Sequence, residues 1–406
     1  MKRRLLGAAF FFTSFFLVLS ASQAAIDLGT TGVNDTKKVK KIVQITGGET
    51  GTFQDSDIDK YSLPWSKDSK WIVYEENDHL HRIKPDGTGY MQLTKNVSAD
   101  TNSHASFADD TKIYYEIDYF NSDSLTIMTV DVTGTNPATL PNSITGITFD
   151  FYPLSSPDGA MIAYSDYNDL FVANADGSNP HKVSATNQIT PGEYSWSPDS
   201  QRIAYTANDG EGTWIYTVKA DDGTDNTPLT KPDPVPALYK PEHSFPRWSP
   251  DGNYITYHEA QGDGSQTHYR LKIVKPDGTG MATLDAAADN ADWNDLSTFA
   301  SWNPDSSWIA YRKQLQATGY YSIFIVNVSN NDIHQLTKDY KDGRPYWSPD
   351  GSMILFKDSN NSDESREDSG NDSSNVEDLL ILHFTPGALS NFPWHMFLPA
   401  IQSNNK

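Results

Sequence analysis

A short motif, in its fullest form Trp-Ser-Pro-Asp-Gly at residues 248–252, occurs seven times in this chain and constrains the fold more than any other feature. Successive copies are 41 to 54 residues apart, and they are centred on Trp65, Phe107, Ser155, Trp196, Trp248, Trp302 and Trp347. Repeats of this length are typical of β-propellers, in which each repeat forms one four-stranded blade. The spacing therefore predicts a propeller.

The residue types of the motif favour a tight turn. Proline presets the φ angle of the second turn position, aspartate bonds nearby backbone, and glycine tolerates positive φ at the exit. The aromatic residue supplies a large apolar body for packing between neighbouring blades. Because the turn recurs in every repeat, we interpret its aspartates as structural, and not as metal ligands or catalytic acids.

Strand-like segments follow each motif in the same order. The first is a run of apolar and aromatic residues, such as 202–206 and 308–312. A later run leads into an Asp-Gly turn, and a short segment ending in a Leu-Thr pair, as at 91–94, closes the repeat. The seventh copy lacks that closing segment, whereas a similar one, Lys40–Thr46, precedes the first copy. We therefore predict an all-β fold: a seven-bladed β-propeller of four-stranded antiparallel blades over residues 40–384, its ring closed by this N-terminal strand.

These repeats resemble those of the TolB-type β-propeller family, which are related to WD repeats. The resemblance covers nearly all of the mature chain, residues 40–384, and it is closest at Trp196–Asp199 and Trp248–Gly252. It implies the propeller fold. Because the same blade serves several unrelated roles, the resemblance leaves the function open.

The N-terminus predicts export. Residues 2–4 are basic, residues 5–19 are apolar, and small residues follow. This order is typical of a signal peptide over residues 1–25, cleaved near Ala24 or Ala25. No other stretch is apolar enough to span a bilayer, so we expect no membrane span after cleavage and a periplasmic or secreted protein.

The charge and the absence of cysteine exclude several classes of function. The formal net charge is −22, so phosphate backbones would repel the chain and we expect no nucleic-acid partner. The chain has no cysteine, which excludes disulfides, thiol chemistry and thiolate metal sites.

Three segments fall outside the repeating pattern. Residues 26–39 are predicted to form a linker between the signal peptide and the first strand. Residues 358–378 are rich in Ser, Asn, Asp and Glu and poor in hydrophobic residues, which predicts a disordered acidic loop within the last blade. Residues 385–406 form a C-terminal tail whose apolar part, 391–402, we expect to dock on the propeller, with an export or assembly signal as the alternative.

Strand order predicts where ligands bind. In an up-and-down blade the motif turns and the later Asp-Gly turns lie at one end, and the longer loops lie at the other. These loops carry aromatic residues that we expect to be exposed, with ordinary packing within the loops as the alternative; they are Tyr119, Phe120, Trp214, Tyr239, Tyr269, Trp293 and Tyr320. Long loops on one rim of a rigid scaffold commonly form binding sites.

A narrower set of candidates stands three residues before six of the seven motif centres, where the innermost strand begins near the channel mouth. We predict that these side chains bind a ligand, with solvated channel lining as the alternative; they are His104, Tyr152, Glu193, Phe245, Phe299 and Arg344.

We hypothesise a non-catalytic binding or interaction scaffold for a protein, a peptide or an envelope glycan. No Gly-x-Ser-x-Gly nucleophile motif is present, and we predict no catalytic residue, cofactor or metal. The alternative is a polysaccharide lyase. Oligogalacturonate lyases are also seven-bladed propellers with a histidine-bound metal in the channel, and His104 and His243 lie in the corresponding region.

Overall fold

All the regular structure in the described part of the chain is β-structure. The computed structural model describes residues 26–29, 38–45, 63–95 except 77, 101–118, 125–140, 152–185 except 167, 188–232, 241–262, 267–286, 300–314, 321–337, 344–358, 378–385 and 389. These residues contain no helix, and hence none long and apolar enough to cross a membrane. They confirm the predicted all-β fold of antiparallel strands, and three of the six sheets are four-stranded.

The strands form meanders in which each strand pairs with the next along the chain. The first meander contains β3 (Ile72–Glu76), β4 (His79–Ile83) and β5 (Met91–Gln92). The second contains β6 (Thr101–Phe107), β7 (Lys112–Asp118), β8 (Leu125–Asp131) and β9 (Ala138–Thr139). The third contains β10 (Leu154–Ser155), β11 (Met161–Ser165), β12 (Leu170–Asn174) and β13 (His181–Lys182). The motif residue Trp65 adds a single bridge to Ile72 in the first of these sheets.

The middle of the chain forms two more meanders. They are β14 (Ile189–Trp196), β15 (Arg202–Asn208), β16 (Thr213–Lys219) and β17 (Thr227–Pro228), and then β18 (Glu242–Trp248), β19 (Ile255–Gly262), β20 (Thr267–Val274) and β21 (Ala282–Ala286). One parallel pair, Thr213 with Glu242, joins them. The next sheet contains β22 (Ser301–Trp302), β23 (Trp308–Gln314), β24 (Tyr321–Asn327) and β25 (Ile333–Gln335).

The last sheet contains both ends of the described chain. Its strands, in spatial order, are β26 (Tyr346–Trp347), β27 (Met353–Asp358), β28 (Asp378–Phe384), β2 (Val39–Gln44) and β1 (Ile26–Gly29). β2 pairs antiparallel with β28, with Ile42 opposite Leu382. β1 extends the sheet by pairing with β2, so residues 26–29 of the segment predicted as a linker form a strand.

Direct contacts join this last sheet to the first. The indole Nε1 of Trp65 donates to the carbonyl of Tyr346 at 3.1 Å. The backbone N–H of Asp350 donates to the hydroxyl of Ser69 at 3.0 Å. Trp65 and Tyr346 also belong to one apolar cluster with Met353, so the two sheets share a core.

The motif turns carry the same inter-sheet bonds elsewhere. The indoles of Trp196 and Trp302 donate to backbone carbonyls of the preceding sheet at 3.0 and 3.1 Å. The backbone N–H of Asp251 donates to the hydroxyl of Ser306 in the next sheet at 3.0 Å. Ser69, Ser200 and Ser306 occupy the glycine position of the motif with φ of 58°, 61° and 61°. Where serine replaces glycine there, its hydroxyl bonds the neighbouring sheet, which supports the structural interpretation of the motif.

The segments outside the repeats are only partly described. The first and last residues of the predicted disordered loop, Asp358 and Asp378, pair with each other at the ends of β27 and β28, because the two strands extend that far. Residues 1–25, 359–377 and 391–402 lie outside the described residues. In the predicted tail, Leu389 is buried, and its carbonyl accepts the indole N–H of Trp308 at 2.9 Å.

Candidate functional site

The innermost strands bend where the site was predicted. The pairing of β6 with β7 shifts register between Ser103 and Ser106, and the pairing of β18 with β19 shifts in the same way. His104, Tyr152 and Phe245, each three residues before a motif centre, have φ of 55°, 50° and 54°. Positive φ is uncommon for residues other than glycine, and a bulge of this kind re-aims a side chain.

This bend brings four of the six predicted site residues into contact. The rings of His104 and Tyr152 are 4.2 Å apart between centroids. Tyr152 packs against Phe245, and the backbone N–H of Phe245 donates to Glu193 Oε2 at 3.2 Å. His104, Tyr152, Glu193 and Phe245 are therefore neighbours drawn from four successive meanders, and we call them the four-residue cluster.

The two remaining predicted residues are placed differently. Phe299 lies outside the described residues. Arg344 is half-buried and lies two residues before β26 in the sheet that contains the N-terminal strand. Their part in ligand binding stays a prediction.

Sequence analysis missed Glu116, which supports the cluster. Its side chain on β7 is fully buried. Its Oε2 lies 2.7 Å from His104 Nδ1 and accepts the backbone N–H of Tyr152 at 3.3 Å. Glu193 repeats this arrangement two sheets further along, since it accepts the N–H of Phe245. A buried carboxylate is costly unless donors surround it, so each of these acids fixes the bent strand of the following sheet. The sequence did contain one sign of this role, because Glu116 is the only acid in the strand-like run of residues 112–117.

The two histidines of the lyase alternative belong to different hydrogen-bond groups. His243 is fully buried, with Nδ1 2.6 Å from the Thr230 hydroxyl and Nε2 3.3 Å from Glu259 Oε2. Burial lowers the pKa of His243 and outweighs the opposing effect of Glu259. His104 instead pairs with Glu116. Among the residues that the structure describes, no three His, Asp or Glu side chains are grouped so as to hold a metal ion.

Glu259 is the most strongly bonded of these acids. Arg270 Nη1 donates to its Oε1 at 2.7 Å, and Lys272 Nζ donates to its Oε2 at 2.9 Å. Burial alone would raise the pKa of Glu259, but the bonds from His243, Lys272 and Arg270 outweigh burial and hold the pKa well below its ordinary value. Glu259 is therefore ionised, and its role is structural, since it holds the side chains of His243, Arg270 and Lys272 in place.

Two of the aromatic residues that were expected to be exposed are buried. Trp214 is fully buried in β16, its indole N–H donates to Asp209 Oδ1 at 3.2 Å, and its ring meets His243 edge-on. Tyr269 is buried in β20. The expectation was wrong for both because their strands begin earlier than the sequence suggested. The other five aromatic residues lie outside the described residues.

His258 makes stability depend on pH. Burial, with a smaller contribution from the charge of Arg247, lowers its pKa from 6.5 to about 3. Below about pH 6.5 His258 is therefore protonated in the unfolded chain but stays neutral in the folded state. The free energy of unfolding consequently falls as the pH drops. Between about pH 7 and about pH 5.5 we expect a His258→Gln variant to lose about 1 kcal/mol less stability than the unchanged chain.

Urea unfolding at a series of pH values measures this difference. Other titrating groups, such as Glu76, are present in both chains, so their contributions to the pH dependence of stability are the same in both. A His181→Gln variant, which alters the ring contacts with the carbonyls of Asn179 and Ala220, is the control and should retain the full slope. Parallel stability curves for the unchanged chain and His258→Gln would contradict the assignment of the slope to His258.

Comparison with known proteins identifies relatives of the same repeat type. A family model described as the TolB beta propeller domain matches residues 100–381. The Tol-Pal system protein TolB of Francisella tularensis is 22% identical over 230 residues, which is 48% of this chain and 51% of that protein. The peptidase YuxL of Bacillus subtilis, named as uncharacterized, is 24% identical over 233 residues, 53% of this chain and 30% of that protein. The chain spans about half the length of the curated TolB relatives that it matches.

Solved structures extend the similarity over most of the chain. The oligogalacturonate lyase of Vibrio parahaemolyticus superimposes with a TM-score of 0.63 at 12% identity, covering 90% of this chain and 98% of that one. An oligogalacturonate lyase in complex with manganese gives a TM-score of 0.62 at 12% identity, covering 90% and 97%. At this level of identity the similarity shows the fold alone.

Proposed function

Because this chain belongs to the TolB β-propeller domain family, we propose that it is an exported, non-catalytic binding scaffold for a protein, a peptide or an envelope glycan. Its platform is a closed ring of seven blades over residues 40–384, with β2 as the closing strand of the last blade. Seven successive meanders, one for each motif, support this count in the described residues. The pairing of β2 with β28 and the bond from Trp65 to Tyr346 support the closure.

The observation that carries the proposal is the convergence of the four-residue cluster. A specific ligand needs unlike groups from several blades at one place, whereas a repeated turn offers only a repeated surface. The cluster joins an imidazole, a phenol, a carboxylate and a phenyl ring within one set of contacts. Long loops at the same end of the meanders add further contact area.

The bonding of the two acids favours binding over catalysis. General acid–base chemistry requires a group that exchanges a proton with the substrate. Glu116 and Glu193 instead accept backbone N–H groups that hold neighbouring strands in place. We therefore assign Glu116 to the support of the surface, and Glu193 both to that support and to ligand binding through its charge.

The polysaccharide lyase remains the second candidate, and one observation favours it. His104 and Glu116 form a close pair, 2.7 Å apart, in a fold that superimposes on oligogalacturonate lyases. A histidine held by a buried carboxylate can accept a proton from a substrate. Because this pair could act as a general base, lyase activity is tested directly.

The experiment is a screen of the mature chain against peptide and glycan arrays, with metal analysis of protein purified without chelator. We expect a peptide or glycan that binds without being altered, and no stoichiometric manganese or zinc.

Three variants separate the two candidate functions. Metal near one equivalent per chain, lost in His104→Ala or His243→Ala but kept in His334→Ala, together with eliminative cleavage of oligogalacturonate, would refute the scaffold and establish the lyase. His334 is the control because it lies on β25 and pairs with exposed Asp332.

A further inference from the structure

Segments from both ends of the chain meet at one tryptophan, Trp308, which belongs to the sheet before them. Trp308 is the first residue of β23 and is 6% exposed. It lies in one apolar cluster with Ile42 of β2 and Phe384 of β28. Its side chain therefore packs across the boundary between the β22–β25 sheet and the last sheet.

The C-terminal segment contributes Leu389 to this boundary. Its side chain is 8% exposed and belongs to the same apolar cluster. Its carbonyl accepts the indole N–H of Trp308 at 2.9 Å. Since Leu389 lies beyond Phe384, the last residue of β28, this bond holds the chain at a point where the strand pairing has already ended.

The N-terminal segment contributes Lys38, the residue before β2. Its ammonium nitrogen lies 5.2 Å from the centre of the Trp308 ring, which is a cation–π distance. Its carbonyl accepts the backbone N–H of Thr385 at 2.7 Å and so extends the pairing of β2 with β28. We call Trp308, Lys38, Thr385 and Leu389 the terminal clasp.

The equivalent tryptophan of the first sheet has different surroundings. Trp71 also directly follows a motif turn, and its backbone N–H donates to Ser66 as that of Trp308 donates to Asn303, both at 2.9 Å. The guanidinium carbon of Arg82 on β4 lies 3.9 Å from the centre of the Trp71 ring. Trp71 thus joins residues that are near neighbours in sequence, whereas Trp308 joins segments from the two ends of the chain.

We propose that the terminal clasp locks β2 into the last sheet, so that β2 detaches only when the clasp opens. Segments near the ends of a chain fray unless they are tied down, and such local opening does not require global unfolding. The pairing of β2 with β28 begins at Val39 opposite Phe384, next to Lys38 and Thr385. The clasp therefore adds its hydrogen bonds and apolar contacts at the end of β2 from which opening would start. This lock is independent of the scaffold function.

Hydrogen exchange of the full chain, followed by mass spectrometry, tests the lock. Leu389→Ala removes a buried side chain of the clasp, and we expect it to accelerate exchange of the β2 amides by about tenfold or more. Trp308→Phe keeps an aromatic ring but removes the indole N–H, and we expect an acceleration of about fivefold. Peptides that cover β15 should exchange at an unchanged rate, because local opening leaves distant sheets intact.

Two further variants complete the test. Trp71→Phe makes the same chemical change at the equivalent position of the first sheet and should leave exchange of β2 unchanged. The double variant Leu389→Ala/Trp308→Phe should accelerate exchange by less than the product of the two single effects, because both changes disrupt one contact. If Trp308→Phe does not fold, Leu389→Ala carries the test. The proposal is overturned if neither single variant accelerates exchange of β2, if β15 accelerates as much as β2, or if Trp71→Phe has the effect of Trp308→Phe.

Discussion

Deletion of residues 26–46 is expected to lower the melting temperature by more than about 10 °C, or to prevent folding altogether. The deletion removes β1 and β2 and exposes the edge of β28. Ile42, Val43 and Ile45 are 0%, 4% and 2% exposed, and the burial of three such side chains contributes about 5–9 kcal/mol. That amount is comparable to the whole stability of a typical protein. Thermal unfolding followed by circular dichroism measures the change.

Point variants on β2 test whether the loss of stability comes from the buried side chains of this strand. Ile42→Ala should lower the free energy of unfolding by about 2–5 kcal/mol, because it leaves a cavity in the apolar cluster that Ile42 shares with Leu336 and Leu382. Lys40→Ala, at an exposed position of β2, is the matched control and should change it by less than about 0.5 kcal/mol. A deletion variant that melts like the full chain would refute the closing role of this strand.

Replacement of Glu193 by Gln, or of Arg344 by Ala, is expected to weaken ligand binding about ten- to hundredfold, with the peptide or glycan that the array screen identifies. The glutamine amide can still accept the N–H of Phe245, so Glu193→Gln removes the charge and leaves the bent strand supported. Arg344→Ala tests whether the last sheet contributes to the same site. Titration calorimetry gives both affinities.

Asp199→Ala provides the contrast at the opposite end of the same meander. Asp199 Oδ1 accepts the Ser197 hydroxyl at 2.6 Å and the N–H of Gln201 at 3.0 Å. Its loss should lower the free energy of unfolding by about 1–3 kcal/mol and leave affinity nearly unchanged. If Asp199→Ala loses binding while Glu193→Gln and Arg344→Ala keep it, the ligand binds at the motif-turn end and the proposed site is wrong.

The candidate site was only partly predictable from sequence. Position relative to the motif identified His104, Tyr152, Glu193 and Phe245, because each repeat places equivalent residues at equivalent points of its strand. Their conformation was not predictable, since nothing in the local sequence required positive φ at three non-glycine residues.

The sequence by itself determined the sheets, because the Pro-Asp turns, the apolar runs and their spacing act over a few residues. Only the tertiary structure decided what surrounds each side chain. Glu116 became the support of the four-residue cluster because it pairs with His104 and also accepts the N–H of Tyr152, 36 residues away in the next sheet. Trp214 became a core residue by packing on His243 of the following meander. Burial and hydrogen bonding depend on which segments of the chain lie within a few ångströms of one another. Those contacts join residues far apart in sequence, so only the folded structure determines them.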